Sequence, residues 1–378
     1  MTTLLGGLSP THFLRDYWHK RPLLIKNAIP DFAGLLSAAE MQTLAGRDDV
    51  ESRLIQGSGQ NWQLDHGPFR RADFKRLPKT DWTLLIQSLN HIMPEADVLL
   101  ARFNFIPHAR LDDLMVSYAV AGGSVGPHFD SYDVFLLQGS GHRRWQISAQ
   151  TDLSLIDDVP LKILRQFEPE QEWLVEPGDM LYLPPHYAHY GVATDTCTTY
   201  SIGFRAPSAQ ELVHAFLVHL QDSLLIDGRY ADPNLSLQKH PAEIGHAMQK
   251  QIETMIARIK WAHADVAQFT GCYLTEPKPD VFFDAPEQEL SLSAFGKLAS
   301  KHGVALDLKT RMLFTGAEFF INGEAFSPEI DEMDALKALA DHRHLAAPFS
   351  KLLMQRLHFW FEAGWLVINE HGSNEALS

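Results

Sequence analysis

At 378 residues, with 45% hydrophobic and 10% aromatic side chains, the chain is long enough for two or three domains with cores of their own, which excludes a disordered or fibrous class. A net charge of −15 excludes phosphate-backbone binding by the molecule as a whole, and two cysteines, Cys197 and Cys272, exclude a disulfide framework and fit a reducing cytoplasm. No stretch approaches the ~20 apolar residues of a membrane span, and the opening MTTLLGGLSPTHFLRDYWHK has no basic run leading into an apolar one, so neither membrane insertion nor a signal peptide is expected.

Residues 1–97 are mixed, with short helical patterns such as SPTHFLRDYWHK and DWTLLIQSLNHIM. From about 98 to 205 the pattern changes to short β-like runs between Gly/Pro turns: DLMVSYAV, YDVFLLQ, RRWQIS, QEWLV, DMLYLP and TTYSIGF. Many short strands with such punctuation predict a sandwich or barrel. The EPGD turn at 176–179 predicts a hairpin-type break between two of them.

After FRAP the pattern becomes helical. Ser208 and Glu211 form a capping box, and Leu212, Val213, Phe216, Leu217, Leu220 and Leu224 recur at helical spacing. A second long helical pattern runs from Pro241 to Gln268, with Ile244, Met248, Ile252, Met255, Ile256 and Ile259 on one stripe. Such a stripe faces either its own core or the same stripe of a second copy. TEPKPD reads as a linker, and beyond it lies a small α+β unit in which Asn322-Gly323 signals a hairpin. Helices followed by a hairpin suggest a winged helix. From residue 280 onward 15 acidic residues face 8 Lys/Arg, a net of −7, the wrong sign for a DNA reader and a better fit to protein contact.

With so few thiols, a metal site must be built from His, Asp and Glu. His128 and Asp130, in GPHFDSYDVF, stand two apart, a spacing that puts both side chains on one face of a strand. A third ligand is available in LPPHYAHYG, which offers His186 and His189. Two histidines and one carboxylate make the facial triad of non-haem Fe(II) oxygenases, which leaves positions open for a cosubstrate and O₂. A lone histidine commonly fills a polar pocket; the H-x-D pair joined to a later histidine in an all-β region carries more information. His186 directly follows Pro184-Pro185 and suits a pocket rim, which favours His189 as the third ligand. In GHRRW, Arg143 and Arg144 point to opposite faces, so only one can enter the barrel, where a planar guanidinium suits the far carboxylate of a dicarboxylate cosubstrate. A surface hairpin pair is the alternative reading of these arginines.

His128-x-Asp130, YDVFLLQGSGHRRW, EPGDMLYLPPHYAH and YSIGFRAP, with FLRDYWHKRPLLIKNAIPDF and SRLIQGSGQNWQLDHGPF upstream, resemble the JmjC-type 2-oxoglutarate oxygenases. More closely they resemble the bacterial ribosomal oxygenases that hydroxylate an arginine of large-subunit ribosomal protein 16. The resemblance spans nearly the whole chain, closely over residues 10–210 and more loosely beyond. It implies a mainly β double-stranded β-helix (cupin or jelly roll, JmjC type) with a helical dimerisation region and a C-terminal winged-helix-like α+β domain. The corresponding segments are 1–207 for the catalytic domain with its N-terminal helical elements, 208–274 for dimerisation and 280–378 for the winged helix.

The resemblance further implies that His128, Asp130 and His189 hold Fe(II), and that Arg143 holds the far carboxylate of 2-oxoglutarate. Ser117 and Thr199 stand on strands that line the same pocket, as cosubstrate contacts or as barrel-filling polar residues. Asp112 and Asp113 are the nearest candidates for a carboxylate facing a guanidinium substrate. Implied too are O₂ as second substrate, attack at the arginine β-carbon, a basic ribosomal protein as partner, a homodimer, no DNA or membrane partner, and a cytoplasmic location. One departure is His186, at a turn position where glycine is expected. The competing readings are a histidyl hydroxylase of another ribosomal protein, a non-enzymatic cupin and winged-helix regulator that senses a ligand, and a non-redox metal-dependent isomerase.

Overall fold

The structure, a computed structural model, describes residues 3–59 and 61–369. Its first half is built from strands β1 (Leu23–Ile25), β2 (Ser52–Ser58), β3 (Asn61–His66), β4 (Trp82–Ile86), β5 (Leu111–Ala119), β6 (Val134–Gln138), β7 (Arg143–Ser148), β8 (Gln171–Val175), β9 (Met180–Leu183), β10 (Ala188–Ala193) and β11 (Cys197–Phe204). They form two antiparallel sheets, an eight-stranded one in the order β1-β9-β6-β11-β5-β4-β2-β3 and a three-stranded one in the order β10-β7-β8. This is the double-stranded β-helix that the strand pattern and the resemblance imply.

Alternation along each strand sorts the side chains. On β5 and β11, Leu114, Val116, Tyr200, Ile202 and Phe204 point away from the small sheet into the main apolar core. Helices α1 (Pro10–Asp16), α2 (Ala38–Leu44), α3 (Arg71–Lys75) and α4 (Pro94–Ala101) lie on that side, and Phe13, Met41, Leu99 and Leu100 belong to the same core. Ser9 caps α1, and Ser37 with Glu40 forms a capping box on α2, so both helices start where the sequence supplies oxygen acceptors. Phe13 is fully buried, with Phe105, Phe135 and Tyr182 rings 4.9 to 5.9 Å away. The opposite face of the large sheet meets the small sheet, and Val134, Leu136, Trp145, Ile147, Val175, Leu181 and Leu183 fill part of the gap.

Three sequence expectations change here. DWTLLIQSLNHIM, read as helical, is strand β4 followed by a single 3-10 turn at Leu89–His91, because Trp82–Ile86 is buried on both faces and such a run has no period that tells strand from helix. The EPGD turn does not make a hairpin: β8 belongs to the small sheet and β9 to the large one, and Gly178, at φ +86°, turns the chain from one sheet to the other. The helical pattern from Pro241 to Gln268 is two helices, α6 (His246–Ile256) and α7 (His263–Thr275), because Asp265 accepts the Ala262 N–H at 2.6 Å and starts a new helix. The preceding α5 (Ala209–Ser223) begins at the Ser208–Glu211 capping box and meets α7 through Phe216 and Phe269, whose rings lie 5.2 Å apart. Ile244, Met248, Ile252 and Ile256 are exposed, so the stripe does not face this chain's own core.

The C-terminal unit comprises α8 (Leu292–His302), β12 (Val304–Leu306), β13 (Met312–Thr315), β14 (Glu318–Ile321), β15 (Glu324–Phe326), α9 (Met333–His342), β16 (His344–Leu345), α10 (Lys351–Glu362) and β17 (Leu366–Ile368) around its own core. Asn322 and Gly323, at φ +49° and +89°, make the two-residue turn between β14 and β15 that their identity predicts. Two arginines tie this unit to the β-helix. The Arg311 guanidinium donates to the carbonyls of His108, Leu111 and Asp112, and Arg343 pairs with Asp97 at 3.0 Å. Burial, and then neighbouring Arg205, push the Arg311 pKa down to about 9 against the opposing pull of Asp112 and Asp113.

Truncating a fully buried phenylalanine removes its transfer energy and leaves a cavity. Phe13→Ala should therefore lower the unfolding free energy of the β-helix by about 3–5 kcal/mol in a urea titration; a loss below about 1 kcal/mol would show that α1 is not part of the cooperative core.

Candidate metal centre

His128 is not on a regular strand. The segment from Gly122 to Asp130 lies beside β10: Gly122 donates to Ala193, Ala193 to Gly123, His128 to His189 and His189 back to His128. The last two bonds, 3.0 and 2.8 Å long, form an isolated bridge between the two histidines. Ser124 reinforces the pairing by donating its hydroxyl to the Gly191 carbonyl at 2.7 Å. Gly126 sits at φ +81°, and a Cβ there would stand 2.3 Å from Ile163 Cδ1, so the path of the chain into His128 requires glycine.

His128, Asp130 and His189 bring one ligand atom each within 4.8 Å of one another. His189 Nε2 lies 3.7 Å from Asp130 Oδ2, and the two imidazole centroids are 4.2 Å apart. Each ring is turned by a carbonyl: His128 Nδ1 bonds Gly126 O and His189 Nδ1 bonds Tyr187 O, both at 2.9 Å. A carbonyl only accepts, so Nδ1 carries the proton on both rings and Nε2 offers its lone pair. Burial, and then neighbouring His128, push the His189 pKa down to about 4, which leaves the ring neutral at pH 7. Two imidazoles that turn Nε2 inward and a carboxylate, on a backbone frame, fit a divalent transition metal with open positions.

His186 is absent from the cluster. It is exposed, at φ +61°, with its ring packed 5.8 Å from Phe129, while its N–H donates to the Asp130 carbonyl at 2.7 Å. The left-handed backbone is the reason glycine is expected at this position.

Arg143 points between the sheets and Arg144 points out, where it faces Glu172 at 3.5 Å. Arg143 is 3% exposed, and its buried Nε and Nη2 have no hydrogen-bond partner among the described residues. Ser117 and Thr199 are register partners on β5 and β11; both are buried, with Ser117 Oγ donating to Thr199 O and Thr199 Oγ1 to Gln138 Oε1. Asp112 and Asp113 fall on opposite faces of β5. Asp112 is ion-paired with Arg205 and Lys278 at 3.4 and 3.3 Å, away from the chamber, as alternation demands. Asp113 is buried, its Oδ2 takes Gln87 and Ser88, and burial followed by Asp112 raises its pKa.

The sequence reading missed Tyr132, Gln138 and Trp145. Tyr132 stands at the rim near Asp130 and Asp113, and a Cβ added at Gly203 would meet both Asp113 Oδ1 (3.5 Å) and the Tyr132 ring (3.9 Å). Its signal was its spacing, two beyond Asp130; Gln138 and Trp145 are found by carrying the alternation inward along β6 and β7.

Removing an outer hydrogen-bond partner of a metal ligand costs about 10–100-fold in affinity, and removing the ligand itself costs more. His189→Ala and Asp130→Asn should each weaken Mn(II) binding by more than about a hundredfold in a chelator competition. His186→Gly should leave it unchanged. Wild-type affinity in both ligand variants would contradict the triad.

A JmjC domain model matches residues 98–212, a ROXA-like winged helix model residues 256–366, and an AraC-like ligand binding domain model residues 168–265. The chain is 33% identical to the ribosomal protein uL16 3-hydroxylase of Escherichia coli over 86% of its own length and 87% of the relative's. It is 32% identical to a probable ribosomal oxygenase of Haemophilus influenzae, over 96% of both chains. Among solved structures, the Escherichia coli ribosomal oxygenase YcfD in complex with cobalt and 2-oxoglutarate superposes with a TM-score of 0.81 at 31% identity, covering 96% of this chain and 98% of that one. With the β-helix, the winged helix and this coverage, the chain belongs to the JmjC-type ribosomal oxygenase family.

Proposed function

We propose that this chain is an Fe(II)- and 2-oxoglutarate-dependent dioxygenase that hydroxylates the β-carbon of an arginine side chain in large-subunit ribosomal protein uL16, a protein arginine 3-hydroxylase. One observation carries the cosubstrate half of this reading: a buried arginine with two unpartnered N–H donors on the inner wall that also carries His189. An unpaired buried cation is costly, and a dicarboxylate supplies the missing partner. Fe(II) bound by His128, Asp130 and His189 supplies activation of O₂ together with the 2-oxo acid, whose decarboxylation to succinate and CO₂ accompanies transfer of one oxygen atom to a C–H bond.

The chain's own residues bind and orient. The Gly126 and Tyr187 carbonyls keep both imidazoles in the ligating tautomer. Arg143 fixes the end of the cosubstrate remote from the metal, with Ser117, Thr199 and Gln138 forming the polar floor between the sheets. Leu136, Ile147, Leu181 and Leu183 exclude water from the other side. For the substrate, Asp113 is the buried carboxylate that a guanidinium requires, and the absence of a side chain at Gly203 leaves room between it and Tyr132. Asp112, engaged by Arg205 and Lys278, is not part of that contact.

We read residues 1–207 as the catalytic unit, 208–274 as a homodimer contact and 280–378 as the winged helix, in a cytoplasmic enzyme. The exposed stripe of Ile244, Met248, Ile252 and Ile256 supports the dimer. A net charge of −15 favours encounter with a basic ribosomal protein.

Purified iron-loaded enzyme with uL16 and 2-oxoglutarate should form succinate and add the mass of one oxygen atom to one uL16 arginine. Oxygen appearing instead on a histidine of another ribosomal protein would replace the substrate, and no succinate would remove the activity. Arg143→Ala should raise the KM for 2-oxoglutarate by at least about tenfold, the loss of one charge-assisted contact, with metal affinity unchanged. Asp113→Asn should raise the KM for uL16 and leave that for 2-oxoglutarate alone; the reverse pattern would take Asp113 out of the substrate pocket.

A further inference from the structure

Three buried side-chain polar atoms have no hydrogen-bond partner among the described residues: Arg143 Nε, Arg143 Nη2 and Trp145 Nε1. The proposed function uses the first two and leaves the third. Native interiors nearly always give a buried N–H an acceptor. Trp62 and Trp82 follow that rule, donating to Gly59 O at 2.8 Å and Pro78 O at 2.9 Å.

Alternation on β7 places Trp145 on the same inward face as Arg143, while Arg144 and Gln146 meet Glu172 outside. Trp145 is 4% exposed and lies opposite Gly191 of β10. A Cβ at Gly191 would come within 2.5 Å of Cζ3 and 2.6 Å of Cη2, so the benzo edge of the indole occupies the place of the missing side chain. That seats the ring with its pyrrole edge, and Nε1, turned away from β10. Along the β7–β10 pairing the order is Arg143 with Ala193, Trp145 with Gly191 and Ile147 with His189. The indole therefore stands between the guanidinium, 5.6 Å from the ring centroid, and the His189 ring, 5.9 Å away.

We propose that Trp145 is a cosubstrate-binding residue whose indole N–H gives the metal-distal carboxylate a third donor beside Arg143 Nε and Nη2. The assignment rests on the reading of this chamber as the 2-oxoglutarate site. A carboxylate has two oxygens and about four acceptor positions, so it can take a guanidinium and still accept from an indole. The consequence is selection for a dicarboxylate: a 2-oxo acid with an apolar tail leaves three buried N–H groups unpaired.

The test uses the full chain loaded with Zn(II), which binds without turnover. Calorimetry with 2-oxoglutarate should show Trp145→Phe binding about tenfold more weakly than wild type, the value of one hydrogen bond to a charged group. With ¹⁵N-labelled tryptophan, one of the eight indole N–H resonances, the one missing from Trp145→Phe, should move when 2-oxoglutarate is added to the wild-type protein. Should Trp145→Phe fail to fold, Trp145→Tyr supplies the assignment, and the shift is read only from the resonance so assigned to Trp145. Unchanged affinity in Trp145→Phe, or no indole resonance that moves, overturns the assignment. Weak binding by Arg143→Ala beside wild-type binding by Trp145→Phe overturns it while sparing the cosubstrate reading; absence of 2-oxoglutarate binding by the wild-type protein removes both.

Discussion

His128 and His189 exchange two backbone hydrogen bonds, and this bridge is what joins a loop before β6 to a strand of the opposite sheet. The two residues come from distant parts of the sequence, so no local preference holds them together. Gly126 lets the loop turn into the bridge, and Ser124 and the Gly122 and Gly123 pairings with Ala193 hold it antiparallel alongside β10. The geometry of the ligands is thereby set by main chain before any metal arrives, and little reorganisation is left for binding. His186, which lends its N–H to the Asp130 carbonyl from a left-handed position, completes the frame without being a ligand.

The same arrangement accounts for polar groups in an otherwise apolar gap. An interior built for stability alone would not bury the Arg143 guanidinium and the Trp145 indole N–H without acceptors. Their place beside His128, Asp130 and His189 makes the gap a chamber with a polar end and a candidate metal end. On the far side of β5, Arg311 of the C-terminal unit caps the carbonyls of Leu111 and Asp112, next to buried Asp113. The winged helix thus braces the strand that carries the proposed substrate carboxylate, a role that needs no nucleic acid and suits its acidic surface.

Local rules carried much of the sequence reading. The capping box at Ser208, the Asn322-Gly323 turn and the opposite faces of Arg143 and Arg144 all depend on residues close in sequence. The cluster of His128, Asp130 and His189 was legible because H-x-D and a following histidine are a rare combination with a chemical reason. What stayed hidden depends on long-range pairing. Alternation says which side chains share a face, but not which sheet the next strand joins, so the chain's crossing at Gly178 read as a hairpin. Alternation puts Asp112 and Asp113 on opposite faces, but which of them faces the chamber emerged only with Arg205 and Lys278 reaching Asp112. Alternation along β7 places Trp145 inward, but its unpartnered N–H depends on the ring's seat over Gly191.

A crystal structure of the full chain with Mn(II) and 2-oxoglutarate, grown without oxygen, tests the bipolar chamber most directly. The expected result is one metal ion on His128 Nε2, Asp130 and His189 Nε2, with the cosubstrate's free carboxylate against Arg143 Nε and Nη2. A metal on any other donor set, or a carboxylate that leaves Arg143 unpaired, would contradict it.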